Sequence, residues 1–225
     1  SNGWGNDEWQ LYTDSADNLR VEDGNLVITA QCPVAPCEKR DGSITSARIT
    51  TQVQLSPEKG FEQQYGRIEA SIKLPEGAGF WPAFWMLGAN IDEVPWPGCG
   101  EIDIMEYQGQ RPERAFGTLH GPGYSGGDSI SRDFFLPEGE TFADDFHLFA
   151  AEWDPGRITF SVDGEVYGII RSSEVVSRGD WVFNNEFFLI LNLAVGGSLG
   201  GPVGPDTVFP ADVLVDYVRV YERAK

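Results

Sequence analysis

"GEIDIMEYQG", Gly100 to Gly109, sets three carboxylates, Glu101, Asp103 and Glu106, among Ile102, Ile104 and Met105. The acids are spaced by two residues and then by three, whereas side chains on one face of a strand recur every two. A regular strand over 101–107 would turn Glu101 and Asp103 outward and Ile102 and Ile104 inward. It would then bury Glu106 and expose Met105. Burying an unpaired carboxylate costs several kcal/mol, so this register conflicts with its own content. One extra residue, a β-bulge at Ile104–Met105, removes the conflict by returning Glu106 to the acidic face and Met105 to the core side.

Around this stretch the chain breaks into short β-rich runs separated by turn residues. They include 25–31, 46–55, 65–74, 83–88, 115–121, 146–154, 157–170, 187–197 and 213–222, and several alternate apolar and polar residues as half-buried strands do. Asp163-Gly164 inside "SVDGEVY" suits a tight two-residue hairpin, and Asp23-Gly24 in "VEDGNLVI" repeats the signal. Helical periodicity is scarce; 172–179 is expected to make one short turn. Many antiparallel strands without a repeating unit predict an all-β jelly-roll sandwich of two curved antiparallel sheets, in one domain spanning 1–225.

Composition agrees. The 225 residues carry 27 Gly, 14 Pro and 7 Trp, with 16 basic against 35 acidic residues and a formal net charge of −19. Such a surface repels phosphate backbones and anionic polysaccharides, which argues against nucleic acid and for a neutral ligand. No apolar run reaches membrane-spanning length, and a secreted, monomeric protein in its mature form is expected. Of three cysteines, Cys32 and Cys37 in "CPVAPC" are candidates for a small loop disulfide, leaving Cys99 free.

Trp81, Trp85 and Trp96 crowd the twenty residues before Glu101. Each alone would read as core, but three beside an acidic strand suggest a carbohydrate cleft, because indole faces stack on the apolar faces of sugar rings. With one residue absorbed by the bulge, Glu101 and Glu106 lie about four strand steps apart, roughly 13 Å along the backbone. Side chains leaning together would bring the carboxyls to about 5–6 Å, near the separation of a retaining rather than an inverting glycosidase. A nucleophile must stay ionised while its partner holds a proton near neutral pH. Asp103 between them can hydrogen-bond and orient Glu101, and clustered like charges would raise the pKa of Glu106, the acid/base. The competing readings are a calcium site or a solvated acidic edge.

At this point the sequence resembles glycoside hydrolase family 16, whose signature is E-x-D-x-x-E. The residue Met105 makes it similar to the bulged, laminarinase-type branch; lichenases and xyloglucan-active members typically lack it. "VEDGNLVITA", "SARITT", "YGRIEASIKLP", "GFWPAFWMLG", "GTLHGPGY", "AAEWDPGRITFSVDG", "FFLILNLAVGG" and "VDYVRVYE" extend the resemblance over almost the whole chain. It implies a curved jelly roll with a glycan on its concave face, Glu101 as nucleophile, Asp103 as helper and Glu106 as acid/base. It also implies retaining endo-hydrolysis of β-1,3-glucans, with no cofactor for catalysis. Mixed-linkage glucan hydrolysis and a non-catalytic glucan-binding lectin are the alternatives. Substrate contacts are implied at Asn6, Arg67, Trp81, Trp85, Trp96 and His120, and Asn192 is a further candidate for the cleft floor. A structural calcium on the convex side is implied at the Gly24 carbonyl and Asp216. Family members usually carry a further segment before "GWGN" that supplies another calcium ligand, and often have Arg where Ser71 stands.

Overall fold

The computed structural model describes residues 5–34, 37 and 42–222. Two seven-stranded sheets face each other. The sheet carrying the acids runs in the order β11 (Ile130–Phe135), β10 (Arg114–His120), β9 (Glu101–Tyr107), β8 (Phe80–Gly88), β15 (Phe187–Val195) and β5 (Arg48–Thr50), with β6 (Glu62–Gln63) also on β15. The second sheet runs β14 (Glu165–Arg171), β13 (Arg157–Val162), β12 (His147–Asp154), β7 (Gly66–Lys73), β16 (Ala211–Tyr221), β3 (Asn25–Ala30) and β2 (Leu19–Glu22). Neighbours within each sheet are antiparallel. A short parallel pair, β1 (Leu11–Tyr12) with β4 (Thr45–Ser46), closes one margin. This is the expected jelly-roll sandwich.

Strand periodicity builds the space between the sheets. Ile68, Ala70 and Ile72 of β7 meet Phe80, Phe84 and Met86 of β8 and Ile102, Ile104 and Met105 of β9 in one buried cluster. β15 is buried along its whole length because both of its faces are used. Phe187, Leu189, Leu191 and Leu193 enter the main core, while Phe188 and Ile190 pack with Leu87 and Cys99 in a smaller cluster on the other face. That second cluster underlies one end of the concave surface. The burial of a typical apolar side chain stabilises by about 1.5–3 kcal/mol, so each of these residues fixes its strand face firmly.

The hairpin signals hold. Asp163 and Gly164 both have positive φ and join β13 to β14 through the Val162–Glu165 pair. Asp23 and Gly24 do the same for β2 and β3. The short helix Ser172–Val175 lies inside the expected helical turn. The run expected over 46–55 is a strand only to Thr50, after which 53–55 form a turn. Thr51 marks the departure, its hydroxyl donating to the Phe61 carbonyl and accepting from the Leu189 N–H. Cys32 and Cys37 form the expected disulfide, and Cys99 is a buried free thiol.

Candidate active site

The bulge lies where the spacing requires it. On one side of β9, Met105 pairs with Phe84 and Asp103 with Trp85, leaving Ile104 without a partner residue. On the other side, Glu106 pairs with Phe116 and Asp103 with Thr118. Glu101 pairs with Leu87 and Glu106 with Ala83, positions four apart on β8, so five residues of β9 cover four strand steps. Consecutive residues Ile104 and Met105 therefore both enter the core, each 1% exposed, and Glu101, Asp103 and Glu106 share one face. Gly117 lies across from the bulge. A Cβ there would sit 2.7 Å from the Phe160 ring, so the absence of a side chain lets β10 follow the distorted strand.

The three acids face a cleft of about 760 Å³ and a small recess continuous with its floor. Trp81 and Trp85 alternate with core residues on β8 and project into the cleft. Trp81 Nε1 donates to Glu106 Oε1 at 3.2 Å, and Trp96 Nε1, from the segment before β9, donates to Glu101 Oε2 at 2.6 Å. Trp85 Nε1 donates to Asn192 Oδ1 at 2.7 Å, which places the candidate Asn192 on the floor beside Ala83. Asn6 lines the rim, its carbonyl accepting from the Ser198 N–H. His120 ends β10 directly opposite Glu101, with Nε2 3.2 Å from Asp103 Oδ2 and 3.9 Å from Glu101 Oε1.

Arg67 is not brought to the cleft. It lies on β7 in the second sheet, where Ile68, Ala70 and Ile72 take the core face and Arg67, Glu69 and Ser71 take the opposite one. Its guanidinium bonds Glu69 at 2.8 Å and Glu152 at 3.2 Å. Gly24 and Asp216 are likewise remote from the acids. The Val215–Leu26 pair places Asp216 at the end of β3, where the Asp23-Gly24 turn begins.

Burial shifts all three acids upward. Glu101 and Asp103 are held well above the usual carboxylate range, first by loss of solvent and then by the charges of Asp103 and Glu106 respectively. Glu106 is also raised by burial, but the Thr118 hydroxyl, the Trp81 N–H and Arg114 pull it down. This corrects the expectation that like charges raise Glu106. The like-charge effect falls on Glu101 and Asp103, because Glu106 sits among the donors and the arginine.

Several cleft residues carry no local sequence signal. Arg114, Phe116 and Thr118 of β10, Ser131 of β11, and Ser198 and Leu199 after β15 complete the walls. Glu8, Tyr12 and Arg48 line the recess, with Gln10 Nε2 donating to Glu8 Oε2 at 2.6 Å and Tyr12 OH to the same oxygen at 3.3 Å. One atom each of Glu101, Asp103 and His120 lies within 4.8 Å of the others, a spacing that can hold a cation. A metal-binding histidine, however, usually donates a proton from its second nitrogen. Here Nδ1 of His120 accepts from the Gly126 N–H at 3.0 Å, which leaves the ring proton on Nε2, the atom a metal would need.

The profile of glycosyl hydrolases family 16 matches residues 6–197. The chain is 38% identical to glucan endo-1,3-beta-glucosidase A1 of Niallia circulans over 98% of its length, and spans 33% of that protein. It is 40% identical to a beta-glucanase of Rhodothermus marinus over 97% of its length, spanning 76% of that one. The laminarinase catalytic domain of Thermotoga maritima MSB8 superposes with a TM-score of 0.89 at 48% identity, over 99% of this chain and 86% of the other. A jelly roll, a bulged E-x-D-x-x-E strand and a match over most of the sequence thus agree: the chain belongs to glycosyl hydrolases family 16.

Proposed function

We propose that this chain is an endo-β-1,3-glucanase that hydrolyses laminarin-type glucans with retention, its residues 1–225 acting as one catalytic domain. The observation that carries the reading is the bulged strand, which turns Glu101, Asp103 and Glu106 to one face of a tryptophan-lined cleft. In the first step the Glu101 carboxylate attacks the anomeric carbon while Glu106 gives its proton to the departing glycosidic oxygen. The carbon–oxygen bond to the leaving chain breaks as the bond to Glu101 forms. In the second step Glu106, now ionised, takes a proton from water. The resulting hydroxide equivalent attacks the same carbon and releases Glu101. Asp103, which shares a face of β9 with Glu101, orients it.

Burial raises all three carboxyls, Glu101 and Asp103 most, so the cluster keeps a proton near neutral pH; the retaining reaction requires that proton on Glu106 and the charge on Glu101. Trp81, Trp85 and Trp96 offer indole faces to sugar rings, and Asn6 and Asn192 offer amides to hydroxyls. A neutral glucan suits a chain of net charge −19 better than any anionic polymer. We read the protein as secreted and monomeric; no helix among the described residues is long and apolar enough to cross a membrane. A structural calcium would take the Gly24 carbonyl and the exposed Asp216 carboxylate. These supply only part of the roughly six to eight oxygens such an ion takes, and the ion would contribute no catalytic chemistry.

The test is hydrolysis of laminarin, curdlan and barley mixed-linkage glucan by the wild type and by Glu101→Ala. Release of laminari-oligosaccharides that disappears in the variant, with the fold retained, is expected. Undiminished release by Glu101→Ala would overturn the site, and a preference for barley glucan would overturn the linkage.

A further inference from the structure

His120 is the one imidazole in the cleft, and its two nitrogens have different partners. The Gly126 backbone N–H donates to Nδ1 at 3.0 Å. Nδ1 must therefore offer a lone pair, and the ring's single proton belongs to Nε2. Nε2 lies 3.2 Å from Asp103 Oδ2, an oxygen that is buried and has no completed hydrogen bond among the described residues. The contact is short in distance but off the N–H axis. Catalytic hydrogen bonds in a substrate-free site are often misaligned and tighten when substrate binds.

We infer that His120 is a neutral positioning residue whose Nε2–H, fixed by the Gly126 N–H, orients the Asp103–Glu101 pair without placing a positive charge among the carboxylates. The inference rests on the proposed roles of the three acids. The charged groups facing the ring are Glu101, Asp103 and Glu106, all from β9; the segment after β10 brings a backbone N–H to it. Three carboxyls around an imidazole would ordinarily favour imidazolium. An imidazolium, however, is a donor at both nitrogens, and its Nδ1–H would point into the Gly126 N–H. The backbone donor therefore selects the uncharged tautomer. The consequence is chemical. A retaining reaction needs one ionised and one protonated carboxyl in this cluster, and a neutral donor can satisfy the buried Asp103 oxygen without drawing that proton onto the ring.

The experiment is ¹⁵N NMR of the histidine-labelled full chain, with His147→Gln assigning the only other histidine. At pH 8, His120 is expected to carry its ring proton on Nε2 and a lone pair on Nδ1. A proton on Nδ1 at that pH, alone or together with one on Nε2, would overturn the inference. Kinetics supply a second readout. Glutamine can place a neutral N–H near the Nε2 position, so His120→Gln is expected to hold kcat/KM on laminarin within about tenfold of wild type, with the acid limb of its pH profile in place. His120→Leu should lose roughly a hundredfold and shift that limb. A folded Gln variant no better than Leu would also contradict it. The tautomer is read without substrate, so a failure of the catalytic assignment, seen as activity in Glu101→Ala, stays distinct from a failure of this inference.

Discussion

β9 and β7 are both central strands, one in each sheet, and both place acidic residues opposite a core-facing row of isoleucines. They treat those acids in opposite ways. On the outer face of β7, Glu69 is 6% exposed and is held by the Arg67 guanidinium at 2.8 Å and the Tyr221 hydroxyl at 3.2 Å. On β9, Asp103 is 3% and Glu106 8% exposed, yet among the described residues no arginine or lysine pairs with either. Neutral N–H donors from Trp81, Trp96 and His120 meet the cluster instead. An ion-paired buried acid is a structural element. A cluster of buried acids with no arginine or lysine in a salt bridge to it is costly to the fold, and this one lies on the proposed catalytic face.

Swapping residues between the two settings breaks or sharpens this contrast. The largest effect is expected at the cluster: Glu101→Ala or Glu106→Ala should lower kcat/KM on laminarin by about a thousandfold or more, with melting temperature unchanged or raised. Arg67→Ala should do the reverse, leaving both kinetic constants within about twofold while destabilising by roughly 1–3 kcal/mol in a denaturant titration, since Glu69 loses its cation. A rise in KM alone would return Arg67 to the list of substrate contacts. Gly117→Ala tests the support of the bulge: its methyl would meet the Phe160 ring, and a loss of about 1–3 kcal/mol is expected, with activity falling only as the acids are displaced.

The smallest effect depends on pH. The Asp103 carboxyl is raised in the fold by burial and by Glu106, so the folded protein holds that proton more tightly than the unfolded chain, whose value is about 3.9. The stability this proton provides is complete below pH ~3.9 and is lost as pH rises through the folded value. Asp103→Asn mimics the protonated form at every pH. Its melting temperature should match wild type near pH 4 and exceed it increasingly toward pH 8; a gap that closes with rising pH would refute the burial account.

The β9 signature was legible because two independent constraints act on six residues: strand periodicity, and the cost of turning Glu106 into the apolar core between the sheets instead of onto the cleft face. Trp81 and Trp85 were legible for a similar reason, being four residues apart on a strand and thus on one face. Arg67 was not, because periodicity tells which residues share a face but not which sheet the strand joins. Only the pairing of β7 with β12 and β16 settles that. Asn192 left a trace as the one polar residue in "FFLILNLAV". Arg48, Glu8, Ser198 and Leu199 left none, since they meet the cleft only through long-range closure of the sheets. β11, "ISRDFF", escaped notice because its apolar residues fall on both faces, Ile130 and Phe134 on one and Phe135 on the other.

The central claim is that the unpaired acid cluster on the bulged strand performs retaining chemistry, with Glu101 forming the covalent bond. It is tested most directly by incubating the full chain with a 2-deoxy-2-fluoro laminaribiosyl fluoride, a substrate whose second step is slow, and mapping the adduct by peptide mass spectrometry. The account predicts one glycosyl group, esterified to Glu101. A label on Asp103 or Glu106, or no adduct alongside hydrolysis whose first product has inverted configuration, would contradict it.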